Sequence, residues 1–384
     1  MGMYFTNTVK FMEATSYRLG VSLEFVHSAP SVLVAMSGGV DSSVAAAVLH
    51  EQGYRVLGSH MRLVNLGGVD HGCCGPQAEK DAAAVAELVG FDFEVADMNE
   101  EFERTVLADF YEEHRAGRTP NPCIRCNQHI KFGAFLDRAD RLGFDLVATG
   151  HYARTWRDGD DRWHLGRGVD RSKDQSYVLH VLGQGQLRRA LFPVGWQTKA
   201  ETRAHAKRLA LPVAAKPDSQ EVCFVPGADH GAFLEEHAPD LVRGGDVVDP
   251  SGRVLAHHEG TFRFTIGQRR GLGVSMGRPA YVVDIDGATN RVVVGPEELL
   301  GRRGLMADRV RWVADHSPEG GPFEAEVRIR YRGEDVPAVV EPAAGGRARV
   351  EFRTPQRAVA PGQSVVFYRS DEVLGGGRIL EAIR

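Results

Sequence analysis

From residue 31 to residue 150 the chain alternates short apolar runs with segments of helical period, and that rhythm narrows its fold more than any other feature. "SVLVAM" (31–36) is rich in β-branched residues, and after a Gly turn "SSVAAAVLHEQG" (42–53) spaces its apolar residues as a helix does, with Gly53 as a stop. "YRVLGSHM" (54–61) and "FDFEVAD" (91–97) read as strands around a helix at 78–90, and "FDLVATG" (144–150) is a further buried strand. Helices are expected over about 99–116 and 127–142. Strand and helix in turn predict βαβ units, hence an α/β domain built on a doubly wound parallel sheet.

After residue 150 the pattern changes. "ARTWRDGDDRWHLGRG" reads as a hairpin around Asp-Gly, "KDQSYVLHVL" and "KAETRAHAKRLAL" as helical, and "PVAAKPDSQEVCFVPG" as a loop. From about residue 244 short strands follow one another, broken by Gly and Pro, which predicts a small β-rich domain and then a terminal β-barrel. The expected organisation is an N-terminal extension (1–30), the α/β domain (31–215), a central β-rich domain (216–295) and a C-terminal β-barrel (296–384).

The net charge of -5 over 384 residues supplies no general attraction for nucleic acid, so RNA binding would rest on local basic patches. No apolar run approaches the roughly 18 residues a bilayer span requires, and the first 30 residues lack the apolar core of a signal peptide. Five cysteines in so long a chain point to a reducing cytoplasm, where clustered thiols are catalytic or metal-binding more often than bridging. No membrane association and a monomeric state are expected.

"AMSGGVDSS" (35–43) joins the first strand to its helix. Gly38 and Gly39 allow a tight turn and a close approach of the backbone to a ligand, and Ser37, Ser42 and Ser43 add hydroxyl donors. The following helix N-terminus aims N–H groups at the same point, which suits a phosphate. The loop lacks the lysine of a Walker A motif, and Asp41 within it suits Mg²⁺ better than a direct phosphate contact. "TPNPCIRC" (119–126) adds a C-x-x-C, Cys123 and Cys126, which by itself fits a metal site, a redox pair or a reactive thiolate.

S-G-G-x-D-S after a first strand resembles the signature of the PP-loop ATP pyrophosphatase superfamily, whose members adenylate a substrate and release pyrophosphate. The resemblance implies ATP held by Ala35, Met36, Ser37, Gly38, Gly39, Val40, Asp41 and Ser42, with adenine near Met61 and Gly150 beside the nucleotide. Six further blocks occur in order: "TPNPCIRCNQHIKFGAFL", "TGHYAR", "KDQSYVL", "FPVGWQTKAETR", "DSQEVCFV" and "FTIGQRRGLG". Together they resemble the bacterial tRNA-specific 2-thiouridylases from about residue 31 to the C-terminus. The implied reaction adenylates O2 of the wobble uridine of a tRNA with ATP and Mg²⁺ and replaces that oxygen by sulfur. Cys126 would be the nucleophile and Cys223 the persulfide carrier, the two closing a transient disulfide.

The same resemblance places Asn121, Pro122 and Cys123 against the target base, and His151, Lys173, Asp174, Gln175, Arg330, Tyr331 and Gln363 against tRNA. "RIRYR" (328–332) would alternate basic residues along one strand face, with Tyr331 free to stack. One common form of the family carries Asp where Cys123 stands, so an iron–sulfur cluster on Cys123, Cys126 and Cys223 is an alternative sulfur route. Cys73 and Cys74 read as loop residues. A sulfur donor, either a cysteine desulfurase or a sulfur-relay protein, is implied as partner. The competing readings are another PP-loop adenylating ligase or amidotransferase, and a non-catalytic metal- or RNA-binding module.

Overall fold

A computed structural model describes residues 29–64, 75–218, 222–225, 227 and 229–384. Cys73, Cys74 and all but the last two residues of the expected N-terminal extension lie outside the described residues. β1 (Ser31–Ala35), β2 (Arg55–Arg62), β3 (Asp92–Asp97), β4 (Leu146–Ala148) and β7 (Ala190–Leu191) form one parallel sheet in the order β3-β2-β1-β4-β7. Every residue of β1 is buried, because helices cover both faces of a parallel sheet. α1 (Val40–Glu51) covers one face with Val44, Ala45, Ala46 and Leu49. The other face meets α3 (Asn99–Phe102), α4 (Ala108–Arg115) and α6 (Phe135–Arg141) through Leu33, Phe102, Phe110 and Phe135. Truncating Leu33 to Ala would cost about 2–5 kcal/mol through lost burial and the cavity left behind. The strand order turns around between β1 and β4, and ligands of open α/β sheets sit in the crevice at such a point.

The expected helix at 127–142 starts earlier. Asn121 caps it by accepting from the Cys123 N–H at 3.2 Å, and Pro122 occupies its first position. α5 (Pro122–Arg125) then runs on through a π-helical stretch, Cys126–Ala134, into α6. The stretch ends in a kink at Phe132, where φ is -118° and ψ 19°. Such π insertions recur at functional sites. Cys126 therefore stands inside a continuous helix rather than just ahead of one, and Cys123 is the cysteine in its first turn.

Two other expectations are corrected. "KDQSYVLHVL" forms only a 3-10 turn at Ser176–Leu179. In "RIRYR", β13 (Phe323–Arg328) stops at Arg328 and the chain bends, the Gly333 N–H returning to the Arg330 carbonyl at 3.0 Å, so the basic residues do not share a strand face.

The hairpin β5 (Ala153–Arg157) and β6 (Trp163–Arg167) forms as expected, but it extends the sheet of the C-terminal barrel. That antiparallel sheet has the order β12-β15-β14-β13-β16-β17 and closes through β12–β17; it comprises β12 (Gly301–Trp312), β13, β14 (Val336–Ala343), β15 (Arg347–Arg357), β16 (Ser364–Arg369) and β17 (Glu372–Ile383). A smaller sheet of β8 (Gly245–Val248), β9 (Val254–His258), β10 (Tyr281–Asp286) and β11 (Arg291–Gly295) lies between the two in sequence.

Candidate active site

The loop after β1 is built as a cradle. Gly38 has φ +67°, and a Cβ there would stand 2.2 Å from the Ala78 carbonyl oxygen. Ser42 Oγ accepts from the Ser37 N–H at 3.1 Å, which fixes the turn. Gly39 caps α1 without a side-chain bond, leaving the N–H groups of the first turn to an incoming anion. Gly150 closes the other side, since a Cβ on it would lie 2.5 Å from Ser42 N. These features fit a bound triphosphate. Met36 is buried and its carbonyl lies 3.0 Å from His60 Nδ1, so that nitrogen carries the ring's proton. Met61 is half-buried on β2.

Asp41 does not wait on an open carboxylate. Lys199 Nζ lies 2.7 and 2.8 Å from its two oxygens, and the Tyr152 hydroxyl donates to it at 2.9 Å. Lys199 also meets Asp218 at 2.7 Å, and Asp218 in turn receives Lys173 at 2.8 Å and Arg203 at 2.9 Å. Burial works against the charge of Asp218, yet hydrogen bonds from Lys173 and Lys199 hold its carboxyl down to about 2. Burial, with the Asp41 charge beside it, pushes the Tyr152 phenol above the usual tyrosine value. Lys216 reaches the loop from the same side, donating to the Gly38 carbonyl at 3.0 Å and to Asp81 at 2.6 Å.

None of Lys199, Lys216 or Asp218 was singled out from the sequence as a site residue. A signal was present for the first: "TKAE" is a capping box, in which Thr198 accepts from Glu201 N and Glu201 returns to Thr198 N. The box sets Lys199 at the start of α7 (Lys199–Arg208), and Asp170 accepts from its backbone N–H at 3.0 Å.

Cys126 is buried in the apolar cluster that also contains Leu33, Ala35, Phe102 and Phe110. Cys223 packs against that same cluster, half-exposed, and its neighbour Phe224 is wedged 5.5 Å from both the Phe102 and Phe110 rings. The neighbouring Arg125 guanidinium is held by Asp109 at 3.3 Å and by Gln128 at 2.8 Å. Cys123 is exposed in the first turn of α5. Among the described residues no three His, Cys, Asp or Glu side chains converge as metal ligands, so Cys123, Cys126 and Cys223 as placed do not fit a cluster.

The residues expected to meet tRNA divide. Gln363 of the barrel is tied to the cysteine loop, donating to the Thr119 carbonyl at 2.9 Å, and the Thr119 N–H bonds the Pro361 carbonyl at 2.9 Å. Tyr331 lies 6.0 Å from Tyr177, and Gln175 hydrogen-bonds it. Arg330 is exposed beside them. Asp174 faces inward, accepting from Gly168 N and Ser176 N at 3.1 Å each, with Arg167 and Arg328 nearby. His151 is buried against Phe132 and Phe192 with Nδ1 2.5 Å from Thr149 Oγ1, and burial together with Lys131 holds its pKa well below the usual histidine value.

With this geometry in hand, the chain was compared with known proteins. Residues 30–227 match the family model described as the tRNA methyl transferase HUP domain, 231–296 its PRC-barrel domain, and 302–379 the aminomethyltransferase beta-barrel domain. Among curated relatives, the tRNA-specific 2-thiouridylase MnmA of Geobacter metallireducens is 51% identical, over 91% of this chain and 96% of the relative. The protein of the same name from Carboxydothermus hydrogenoformans is 49% identical over 91% of this chain and 97% of the relative. Among solved structures, the U34-tRNA thiolase NcsA from Methanococcus maripaludis with its [4Fe-4S] cluster aligns at 15% identity and a TM-score of 0.35, over 60% of this chain and 74% of that one, too loosely to carry an argument. The full-length matches at about half identity decide the matter: this chain belongs to the tRNA-specific 2-thiouridylase family.

Proposed function

We propose that this enzyme performs its family's tRNA 2-thiouridylation by adenylating O2 of the wobble uridine and then delivering sulfur from Cys223 with the help of Cys126. The observation that carries the reading is the shared setting of the two chemistries. Ala35, at the mouth of the phosphate cradle, and Cys126 belong to one apolar cluster, and Met61 and Cys223 pack against it.

The uridine O2 attacks the α-phosphate of ATP, and pyrophosphate leaves from the cradle of Ser37, Gly38, Gly39 and Ser42. Lys199 and Lys216 supply the positive charge that the loop itself lacks. Asp41 and Asp218, now bridged by Lys199, are the hard oxygen donors that would hold Mg²⁺ with the nucleotide, where the ion would neutralise phosphate charge. The terminal sulfur of a Cys223 persulfide attacks C2 and AMP departs. The Cys126 thiolate attacks Cys223 Sγ, releasing the sulfur on C2 and leaving a Cys126–Cys223 disulfide, which a cellular thiol reduces with two electrons. A cysteine desulfurase or relay protein would load Cys223.

Asn121, Pro122 and Cys123 form the loop that would receive the base. Tyr331 and Arg330 would meet the anticodon loop, and Gln363 fastens the barrel to the receiving loop. Lys173, Asp174, Gln175 and His151 support that surface from beneath more than they display a face to RNA. Incubation with tRNA, ATP, Mg²⁺ and a sulfide or persulfide donor, followed by nucleoside mass spectrometry, should yield 2-thiouridine, AMP and pyrophosphate. An ATP-dependent product without sulfur would instead favour a PP-loop ligase.

A further inference from the structure

A cavity of about 340 Å³ lies between the Cys126 helix and barrel strands β12 and β17, and the phosphate cradle contributes nothing to its lining. On the helix side it is lined by Arg125 and His129, and on the barrel side by Arg309, Arg311 and Arg378. Much of this charge is already answered. Arg125 and Arg309 share Asp109, at 3.3 and 2.5 Å, and Arg378 is held by Asp308 and Glu113. Glu113 also takes Arg118, at 2.6 Å. Arg311 is the exception, since among the described residues no carboxylate reaches it. The four lining guanidinium groups, together with Arg118 on Glu113, thus have three carboxylates between them, which leaves positive charge in surplus around the open space.

Two further observations point the same way. Arg309 has φ +50°, and the β12–β17 register slips between Asp308 and Arg311. A left-handed conformation at a non-Gly residue costs on the order of 1 kcal/mol or more, and here it accompanies a bulge on the strand segment that lines the cavity with Arg309 and Arg311. The His129 pKa is lowered, by burial first and then by the Arg125 and Arg311 charges, with Asp109 and Glu101 opposing.

We propose that this cavity is a phosphate-binding site, separate from the nucleotide loop, in which Arg311 is the direct ligand and Arg125, Arg309 and Arg378 supply the field. Planar guanidinium groups from two domains match the oxygens of a phosphate, and both tRNA and ATP carry such groups. The phosphate would come either from the backbone of the bound RNA or from free inorganic phosphate. A phosphate seated there would join the helix bearing Cys126 to the barrel. The inference goes beyond the catalytic reading and does not depend on the cysteine assignments.

The test uses the full-length chain with Arg311→Gln and Arg311→Lys, whose side chain has no bond that folding needs. tRNA binding is measured by fluorescence anisotropy from low to moderate salt. Thermal unfolding is measured in sodium phosphate against sodium chloride at equal ionic strength. If the phosphate belongs to RNA, Arg311→Gln weakens tRNA binding by roughly tenfold and lowers the salt slope by about one, while Arg311→Lys keeps most of the affinity. If it is free phosphate, tRNA binding is unchanged, and phosphate raises the unfolding temperature of the wild type but not of Arg311→Gln. Wild-type behaviour of Arg311→Gln in both measurements overturns the proposal.

Discussion

Lys199 and Asp41, far apart in the chain, form a bidentate ion pair at 2.7 and 2.8 Å beside the phosphate loop. Lys199 is nearly buried, with a side chain 11% exposed, so its charge is held beside the loop rather than in solvent. Under the proposed function the pair would supply by tertiary contact the lysine that a Walker-type loop carries in its own sequence.

Lys199→Met should therefore leave Asp41 and Asp218 poorly neutralised and lower tRNA-dependent pyrophosphate release by about 10-fold or more. The pair is only partly buried, so the accompanying drop in thermal stability should stay below the roughly 3–5 kcal/mol that breaking a fully buried pair costs. Lys199→Arg should recover part of the stability. A steady-state pyrophosphate assay alongside calorimetry checks both expectations.

Gly150→Ala should act on the nucleotide rather than on sulfur. Its Cβ would meet Ser42 N at 2.5 Å and push the loop out of position. We expect ATP affinity to fall by at least about 10-fold while a persulfide preloaded on Cys223 remains detectable by mass spectrometry. A conformational misplacement of about 1 Å is enough for an effect of that order.

Cys123→Ser should keep substantial thiolation. Cys123 is exposed at the start of α5, and the described residues converge on no metal-ligand set. Enzyme purified without oxygen should be colourless and active, and chelation of iron should not change its rate. Visible absorption with bound iron, lost together with activity in Cys123→Ser, would reverse this.

His164 ties the hairpin to the barrel, lying 2.7 Å from Glu372 and 2.9 Å from Asp158. Burial works against its charge, but the hydrogen bonds to Asp158 and Glu372 outweigh that and raise its pKa. The resulting stability is fully present below the unfolded value near 6.5 and disappears as pH climbs through the higher folded value. His164→Gln should thus cost more at pH 5.5 than at pH 9, by less than about 1 kcal/mol for a partly exposed pair. Denaturant titrations at the two pH values measure the difference.

Local signals made the catalytic domain legible. Apolar runs of the right length marked β1 to β4, and Gly38 and Gly39 between a buried strand and an Ala-rich helix marked the cradle. Gly150 was reached through the family resemblance of its motif, "TGHYAR". What stayed hidden was set by distant contacts. Asp41 carries no mark of Lys199, and nothing in "ARTWRDGDDRWHLGRG" says that its hairpin will extend a sheet formed some 200 positions later. "RIRYR" has a strand's alternation, yet the chain turns after Arg328 because Arg328 is held by Asp335 and the return to Gly333 closes a tight bend. The helix start at Pro122 was readable from Asn121-Pro122 but was set five residues late.

The central claim is that Cys126 and Cys223 divide the sulfur chemistry over one shared apolar cluster. Mass spectrometry of nucleosides from tRNA treated with ATP, Mg²⁺ and a sulfur donor tests it, using wild type, Cys126→Ser and Cys223→Ser, with pyrophosphate measured in the same reactions. The wild type should form 2-thiouridine, and each variant should form essentially none while still releasing pyrophosphate. Normal 2-thiouridine from either variant would contradict the assignment.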